Sequence, residues 1–520
     1  MRKKRKILAV AIASLFVLSM LAGCGPDSTQ TQGDSGTLEG QLASAEPITM
    51  TIHMHYGNIN VFDDNAPIYK EAAKLTNVTL RGTASAAATD SNQAFNTMLV
   101  ESKLPDIIYG TSTNTNKAGM EGAMIPLEDL VKQYAPNIQK YFDTHPEALR
   151  GSLAADGHLY YIPCIYEKGP AMGWFIRQDW LDKLSLPVPT TVEEYYNTLK
   201  AFRDNDPNGN GKKDEIPYFD RSKSVKNLVP LFGVDKNYYA VGPDGKIYAP
   251  TATEGYKTAM TELAKWYAEG LIDQEVYSRG STTREQLLGD NIGGATHDWF
   301  SSSLSFNDKL KDLVPGFRLA TIDPPADING EVKNASPRTT LNGNGWGISK
   351  DNQHVAETMR FFDFWFTEAG ITLNSYGVEG TDYTIVNGVK EYTQQAKDYA
   401  GGVPSYMGTF GSREIGIPVS LEAEIKGMNK DAAEGFAMYV EKDYTISEFP
   451  NLPFNVEENR VIKDKGAAIK TYVDETTQGW IMGNTDVAAT WDKYVNDLKA
   501  MGLDEVISAY QSAYDRYQSL

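Results

Sequence analysis

Apolar and polar positions alternate from residue 48 to 55 (ITMTIHMH), the period-two pattern of a half-buried strand. A helical stretch follows near 67–75, then a short strand over 78–80, an amphipathic helix near 92–101 and the apolar strand of LPDIIYG. Strand–helix–strand–helix–strand order predicts a mostly parallel sheet with helices on both faces. Further helical periodicity marks 191–202, 253–269, 355–367, 468–475, 487–500 and 503–517, and no repeat of solenoid period occurs. Over 520 residues this order predicts an α/β fold of two lobes. Open α/β sheets hold ligands at the carboxyl ends of their strands, so two facing lobes create a cleft between those ends.

The N-terminus has a different pattern. Arg2, Lys3, Lys4, Arg5 and Lys6 precede an apolar run over 7–21 and the tetrapeptide LAGC, which ends on Cys24. A charged start, a greasy core of about 15 residues and small residues at the end make a secretory signal, too short for a spanning helix. Its lipobox form resembles bacterial lipoprotein signals, which implies cleavage before Cys24 and a diacylglycerol on its sulfur. Residues 25–47 are rich in Gly, Ser, Thr and Gln and read as a flexible tether. Cys164 is the only other cysteine; among Tyr161, Ile162, Pro163 and Ile165 it reads as a small buried hydrophobe, not a nucleophile.

Composition narrows the function classes. With 41% hydrophobic and 22% charged residues, the chain is neither disordered, collagen-like nor polytopic. Its 68 Asp+Glu against 49 Lys+Arg give a net charge of -19, and loss of the five N-terminal cations deepens it. Such a field repels a phosphate backbone, so no nucleic-acid partner is expected.

Several segments carry a family resemblance. LPDIIYG, a G-x-x-Y-x-x-P strand in DGHLYYIPCIYEKG, and the helix hairpin RQDWLDKLSLPVPTTVEE are followed in order by YAEGLID (267–273), WGISK (346–350), YGVEGTDYT (376–384) and AYDRY (513–517). Together these resemble family 1 extracellular solute-binding proteins of ABC sugar importers, in particular the large lipoproteins that bind alginate or other uronate oligosaccharides. The resemblance implies a periplasmic-binding-protein-like fold, each lobe a mostly parallel sheet flanked by helices, with a hinge and an interlobe cleft. The implied division is a signal peptide over 1–23, a lipidated tether over 24–47, an N-terminal lobe of 48–167 plus 341–387, and a C-terminal lobe of 168–340 plus 388–520. The chain would cross near 165–173, near 340 and near 388.

Residues 204–217 (DNDPNGNGKKDEIP) carry a calcium pattern, because calcium takes six to eight hard oxygens from alternate positions of a tight loop with a glycine at the turn. Two registers compete. One uses Asp204, Asp206, Asn208, Gly209 and Glu215. The other uses Asp206, Asn208 and Asn210, turns at Gly211, takes the Lys212 carbonyl and closes with Asp214 and Glu215; the resembling lipoproteins carry the loop in this register. A bare Asn-Gly turn is the structural alternative. Calcium here is expected to be structural.

A sugar site needs aromatic planes for the C–H faces of the rings and polar side chains for their hydroxyl rims. Residues of both kinds sit in loop-like positions at Tyr56, Tyr166, Asp298, Trp299, Trp346, Glu379, Asp382 and Tyr383, and these are the candidate ligand contacts. Trp299, ending a strand-like run, is expected to stack on a sugar ring. Trp180, Trp266, Trp365 and Trp491 lie on helices at apolar spacing and are expected in the core. An acidic sugar would need a local cation, for which Arg338 and Arg413 are candidates.

No catalytic residues are expected. HExxH, GxSxG, Walker and dinucleotide-binding motifs are absent from the sequence. The expected function is therefore a lipid-anchored receptor at the outer face of the bacterial cytoplasmic membrane. Acting as a monomer, it captures an oligosaccharide and delivers it to ABC permease subunits. A carbohydrate hydrolase using two of the many carboxylates, or a binder of peptides on the same fold, are the alternatives.

Overall fold

The computed structural model describes residues 42–221, 223–280, 283–411 and 418–520; the signal peptide, Cys24, most of the tether and Arg413 lie outside the described residues. Ten strands build the two main sheets: β1 (Ile48–His53), β2 (Val78–Gly82), β3 (Ile107–Thr111), β4 (Ile162–Tyr166), β5 (Met172–Arg177), β6 (Ile216–Tyr218), β7 (Gly293–Trp299), β8 (Leu319–Ile322), β9 (Leu341–Ile348) and β10 (Pro418–Val419). The first sheet has the order β10-β4-β9-β3-β1-β2 and the second β8-β5-β7-β6.

In each sheet one strand opposes the rest. β9 runs antiparallel to both β3 and β4, whereas the pairs β1–β2, β1–β3 and β4–β10 are parallel. In the second sheet β5 is antiparallel to β7 and β8, and β6 is parallel to β7. Both reversed strands begin where the chain arrives from the other lobe. β4 ends at Tyr166 and β5 begins at Met172, opposite Trp299 at the end of β7; β8 ends at Ile322 and β9 begins at Leu341, opposite Ile165 near the end of β4. The carboxyl-terminal edges of the two sheets are thereby joined by the crossings.

Two separate cores fill the lobes. Met50, Ile52, Ile107, Ile162, Trp346 and Trp365 belong to the first. The second holds Trp174, Trp180, Tyr218, Trp266 and Trp491, and takes in the C-terminal helices Ala467–Ile481, Val487–Ala500 and the start of Leu503–Ser519. Trp180, Trp266, Trp365 and Trp491 are all buried, as their helical spacing predicts, and Cys164 is buried in β4. No helix among the described residues is long and apolar enough to cross a membrane.

Three expectations need correction. Trp346, expected in a loop-like position, lies with the rest of NGNGW (342–346) inside β9, flanked on both sides in the first sheet. Glycine is required there by close approach, since a Cβ on Gly345 would stand 2.2 Å from the Ile162 carbonyl oxygen, and one on Gly347 2.2 Å from that of Tyr160. The third crossing does not fall near 388. Tyr392, Ala396, Val403, Met407, Phe410 and Ala423 pack in the first core, and the chain leaves that lobe only after β10, reaching the second core with Ala432 and Phe436. The tether is also shorter than read: Ala43 is buried in the first core, and the Ser44 N–H donates to the Thr76 carbonyl at 3.2 Å.

Candidate ligand cleft and metal loop

Trp299 closes β7 at the carboxyl edge of the second sheet and leaves 42% of its surface exposed, unusual for an indole in this chain. The residue before it points inward. Asp298 is buried, and its carboxylate accepts from Arg284 Nη1 at 2.7 Å and from the Trp299 N–H at 2.7 Å, with Arg221 Nε 3.3 Å away. Asp298 thus positions two arginines and the strand end, rather than presenting oxygens to a ligand. Neither arginine stood out in the sequence; the available signal was that Arg221 follows β6 closely, at its carboxyl end.

On the first sheet, Tyr56 lies just beyond β1, half-buried, with its ring 6.5 Å from that of Tyr109 in an edge-on contact. Tyr166 ends β4 beneath the guanidinium of Arg338, 4.6 Å from the ring centre. Arg338 is also paired with Glu424 at 2.5 Å, so it braces the crossings and its charge is already matched. Nearby, the Arg338 N–H donates to Gly169 and the Tyr166 N–H to Thr340, so the first two crossings pair side by side. Glu167 accepts from the Leu421 N–H at 3.0 Å, tying in the third. A cavity of about 960 Å³ opens at the roots of these crossings, lined by Tyr141, His145, Tyr166, Glu167, Lys168 and Phe366 among others. Rings beside charged groups at a small-molecule scale are what a sugar site requires.

The remaining candidates do not join this edge. Trp346 is buried in the first core, stacked on Phe362 at 5.2 Å, because β9 is an interior strand. Asp382 is buried and accepts from the Tyr406 hydroxyl at 2.6 Å and the Val378 N–H at 2.7 Å, stapling its own loop. Tyr383 is buried against Tyr376, and Glu379 is exposed. The cleft contacts expected of Trp346, Asp382 and Tyr383 are corrected accordingly.

In the second lobe a smaller cavity of about 200 Å³ is lined by Trp174, Lys236, His297 and Ser336, among others. Lys236 donates to Asn227 at 3.0 Å and to Ser336 at 2.6 Å, and burial pushes its amine down to about 8.

The loop after helix Val192–Asp204 is folded tightly on itself. Thr191 caps that helix at its start, accepting the Glu194 N–H. Beyond its end, Asp206, Gly209 and Gly211 all take positive φ, at 46°, 75° and 74°. Asp206 accepts the N–H groups of Asn210 and Gly211, and Asp214 accepts from the amides of Asn208 and Asn210. Both Glu215 carboxylate oxygens are buried without a hydrogen-bond partner among the described residues, and burial together with Asp214 and Asp206 raises its pKa. Asp204 faces elsewhere, with both oxygens held by Arg203 at 2.7 and 2.8 Å. An orphaned buried carboxylate beside two more is the chemistry that a hard divalent cation relieves. These oxygens are of the type calcium takes, but among the described residues no three acidic, His or Cys side chains converge to hold a metal ion.

A sequence profile of the bacterial extracellular solute-binding protein family matches residues 62–372. The chain belongs to this family. A second profile, of a domain of unknown function, matches 452–519, the C-terminal helices of the second lobe. This solute-binding protein is 37% identical to the alginate-binding protein AlgQ2, solved without calcium ion, with a TM-score of 0.78 over 91% of this chain and 99% of that one. It is 25% identical to the fructooligosaccharide ABC transporter substrate-binding protein FusA of Streptococcus pneumoniae serotype 4, over 96% of each chain. Against the polygalacturonan/rhamnogalacturonan-binding protein YtcQ of Bacillus subtilis it is 24% identical, over 98% of this chain and 99% of that one. A FusA EF-hand mutant in complex with fructo-nystose has the same fold, with a TM-score of 0.71 over 91% of this chain and 100% of that one. These relatives are receptors, not enzymes, and the chain is a binding protein.

Proposed function

We propose that this protein is the receptor subunit of an ABC importer, capturing an oligosaccharide between its lobes and delivering it to a permease. The observation that carries the reading is the exposed indole of Trp299 at the carboxyl edge of the second sheet, joined by the crossings to an edge bearing Tyr56 and Tyr166. Full-length similarity to oligosaccharide-binding proteins supports it. Ligand contacts to both lobes favour a closed state, which the permease recognises. The LAGC sequence supports anchoring through a lipid on Cys24 at the outer face of the cytoplasmic membrane, and in this reading the protein acts as a monomer.

Calcium in the 206–215 loop completes the reading. The side chains of Asp206, Asn208, Asn210, Asp214 and Glu215, with the Lys212 carbonyl, would hold the ion. Bound there, calcium would supply charge neutralisation to a loop that joins the end of helix Val192–Asp204 to the start of β6.

A thermal-shift panel of oligosaccharides and peptides, followed by solution scattering with the best ligand, tests the function. A sugar that raises the melting temperature and shrinks the radius of gyration supports it. Stabilisation by peptides alone, or cleavage of the bound sugar, would overturn it.

A further inference from the structure

The C-terminal helices are fixed to one lobe and touch the other. Leu503 and Val506, at the start of helix Leu503–Ser519, are buried in the second core. Further along, Gln511 accepts the Ile247 N–H at 2.7 Å and the Tyr510 ring stacks on Tyr239 at 4.3 Å. The segment that leads into the C-terminal helices is clamped to the far end of this last one. Arg516 donates to the Pro453 carbonyl at 2.6 Å and to both Glu458 oxygens at 3.0 and 2.7 Å, beside a small core of Leu452, Ala513 and Tyr517. Charged donors with such a set of acceptors tie 452–517 into one piece with the second lobe.

That piece reaches the first lobe at two points outside the three crossings. The Arg150 guanidinium, at the end of helix Pro146–Arg150, lies 5.1 Å from the centre of the Tyr517 ring. The Asn451 side-chain amide donates to the Gly151 carbonyl at 2.6 Å. Ala148 of the same short helix is buried in the first core, so Arg150 and Gly151 belong to that lobe. Both bridges are modest: a cation on a phenol ring and one hydrogen bond between neutral groups. Arg150 Nε is buried without a hydrogen-bond partner among the described residues, so the guanidinium is only partly satisfied where it sits.

These bridges have a conformational meaning. The structure that holds them also leaves the Trp299 indole 42% exposed, so they belong to an arrangement whose cleft is not shut over that ring. Lobes that rotate about their crossings repack the contacts made outside them. We propose that the C-terminal helical piece, which matches a domain of unknown function, is a latch: through Arg150–Tyr517 and Gly151–Asn451 it holds the lobes open, and it releases the first lobe when the cleft closes. Ligand affinity is then set partly at a place the ligand never touches, because contacts present only in the open state oppose closure. The proposal rests on the receptor reading above for the ligand's part in closure.

Two measurements on the mature protein test the latch. Without ligand, the Arg150→Gln, Asn451→Ala double variant should give a smaller mean radius of gyration in solution scattering than wild type, with an unchanged far-UV spectrum showing that it folds. An unchanged or larger radius would overturn the proposal. The second measurement uses a reversible lock. A Cβ on Gly151 stands 3.7 Å from the Asn451 Cβ, a separation that a disulfide spans, with the Leu341 methyl 2.5 Å away turning aside. In the presence of the oligosaccharide panel, kestose and trigalacturonate included, wild type should compact, the oxidised Gly151→Cys, Asn451→Cys variant should not, and its reduction should restore compaction. Compaction of the oxidised variant to the wild-type extent would overturn the latch. If wild type compacts with no member of the panel, the receptor reading fails, and the unliganded comparison still decides the latch by itself.

Discussion

The carboxylate of Glu448 holds Thr340 twice, accepting its backbone N–H at 2.9 Å and its hydroxyl at 3.2 Å. Thr340 lies in the second crossing, immediately before β9, while Glu448 sits far along the chain in the segment leading to the C-terminal helices. This contact pins a crossing that the proposed closure of the lobes would bend. Glu448→Ala should lower the melting temperature by a few degrees, through the loss of about 1–3 kcal/mol of hydrogen bonding to a charged acceptor. It should also widen the distribution of lobe separations seen by solution scattering without ligand. An unchanged distribution would remove Glu448 from the hinge.

Trp299 exposes enough of its ring that truncation costs the fold little. Trp299→Ala should melt close to wild type and yet lose on the order of 1–3 kcal/mol of oligosaccharide affinity. Calorimetry decides between stacking and bystander: equal affinity would exclude the indole from the site.

Chelation should reveal the metal loop. With Glu215 orphaned and Asp206 and Asp214 close by, the empty loop carries unmatched negative charge, so a chelator should lower the melting temperature and added calcium restore it. At free calcium a hundredfold above its dissociation constant, linkage stabilises the folded state by about 2.7 kcal/mol. Metal analysis of the Asp206→Ala, Asn208→Ala double variant should find no bound calcium, and retention of a full equivalent would refute the assignment.

Two buried imidazoles make stability depend on pH. Burial, helped by nearby His55, lowers His53 from 6.5 to about 4, and burial with the nearby Lys236 lowers His297 to about 3. Between those values and 6.5 the unfolded chain takes up protons that the folded chain refuses, so stability is full above pH 6.5 and falls on acidification. Each group contributes at most about 1.4 kcal/mol per pH unit across its window. Urea melts between pH 7.5 and 4.5 should show the decline, and His53→Leu should flatten it. Identical slopes in the two proteins would mean that His53 titrates normally.

How far the sequence reached can be judged from particular residues. Helices at 67–75, 253–269 and 487–500 lie within two residues of Pro67–Thr76, Glu254–Ala268 and Val487–Ala500, because amphipathic periodicity is a local property. The calcium pattern proposed at 206–215 is equally local, since its oxygen-bearing residues are neighbours on the chain. β9 was missed for a reason specific to glycine: NGNG has turn composition, and only the approach of the Ile162 and Tyr160 carbonyls explains why a strand needs it. Trp346 was misplaced along with it.

The sequence by itself determined the two α/β lobes, the loop chemistry at 206–215, the helical core tryptophans and the family, all properties of short windows read in order. Which side chains meet at the carboxyl edge of the second sheet was decided only by tertiary structure. Strand register sets Met172 opposite Trp299, and the sheet edge brings Arg221 and Arg284 onto Asp298 from segments distant in the chain. No local pattern encodes such a meeting, because it exists only once the sheets have paired.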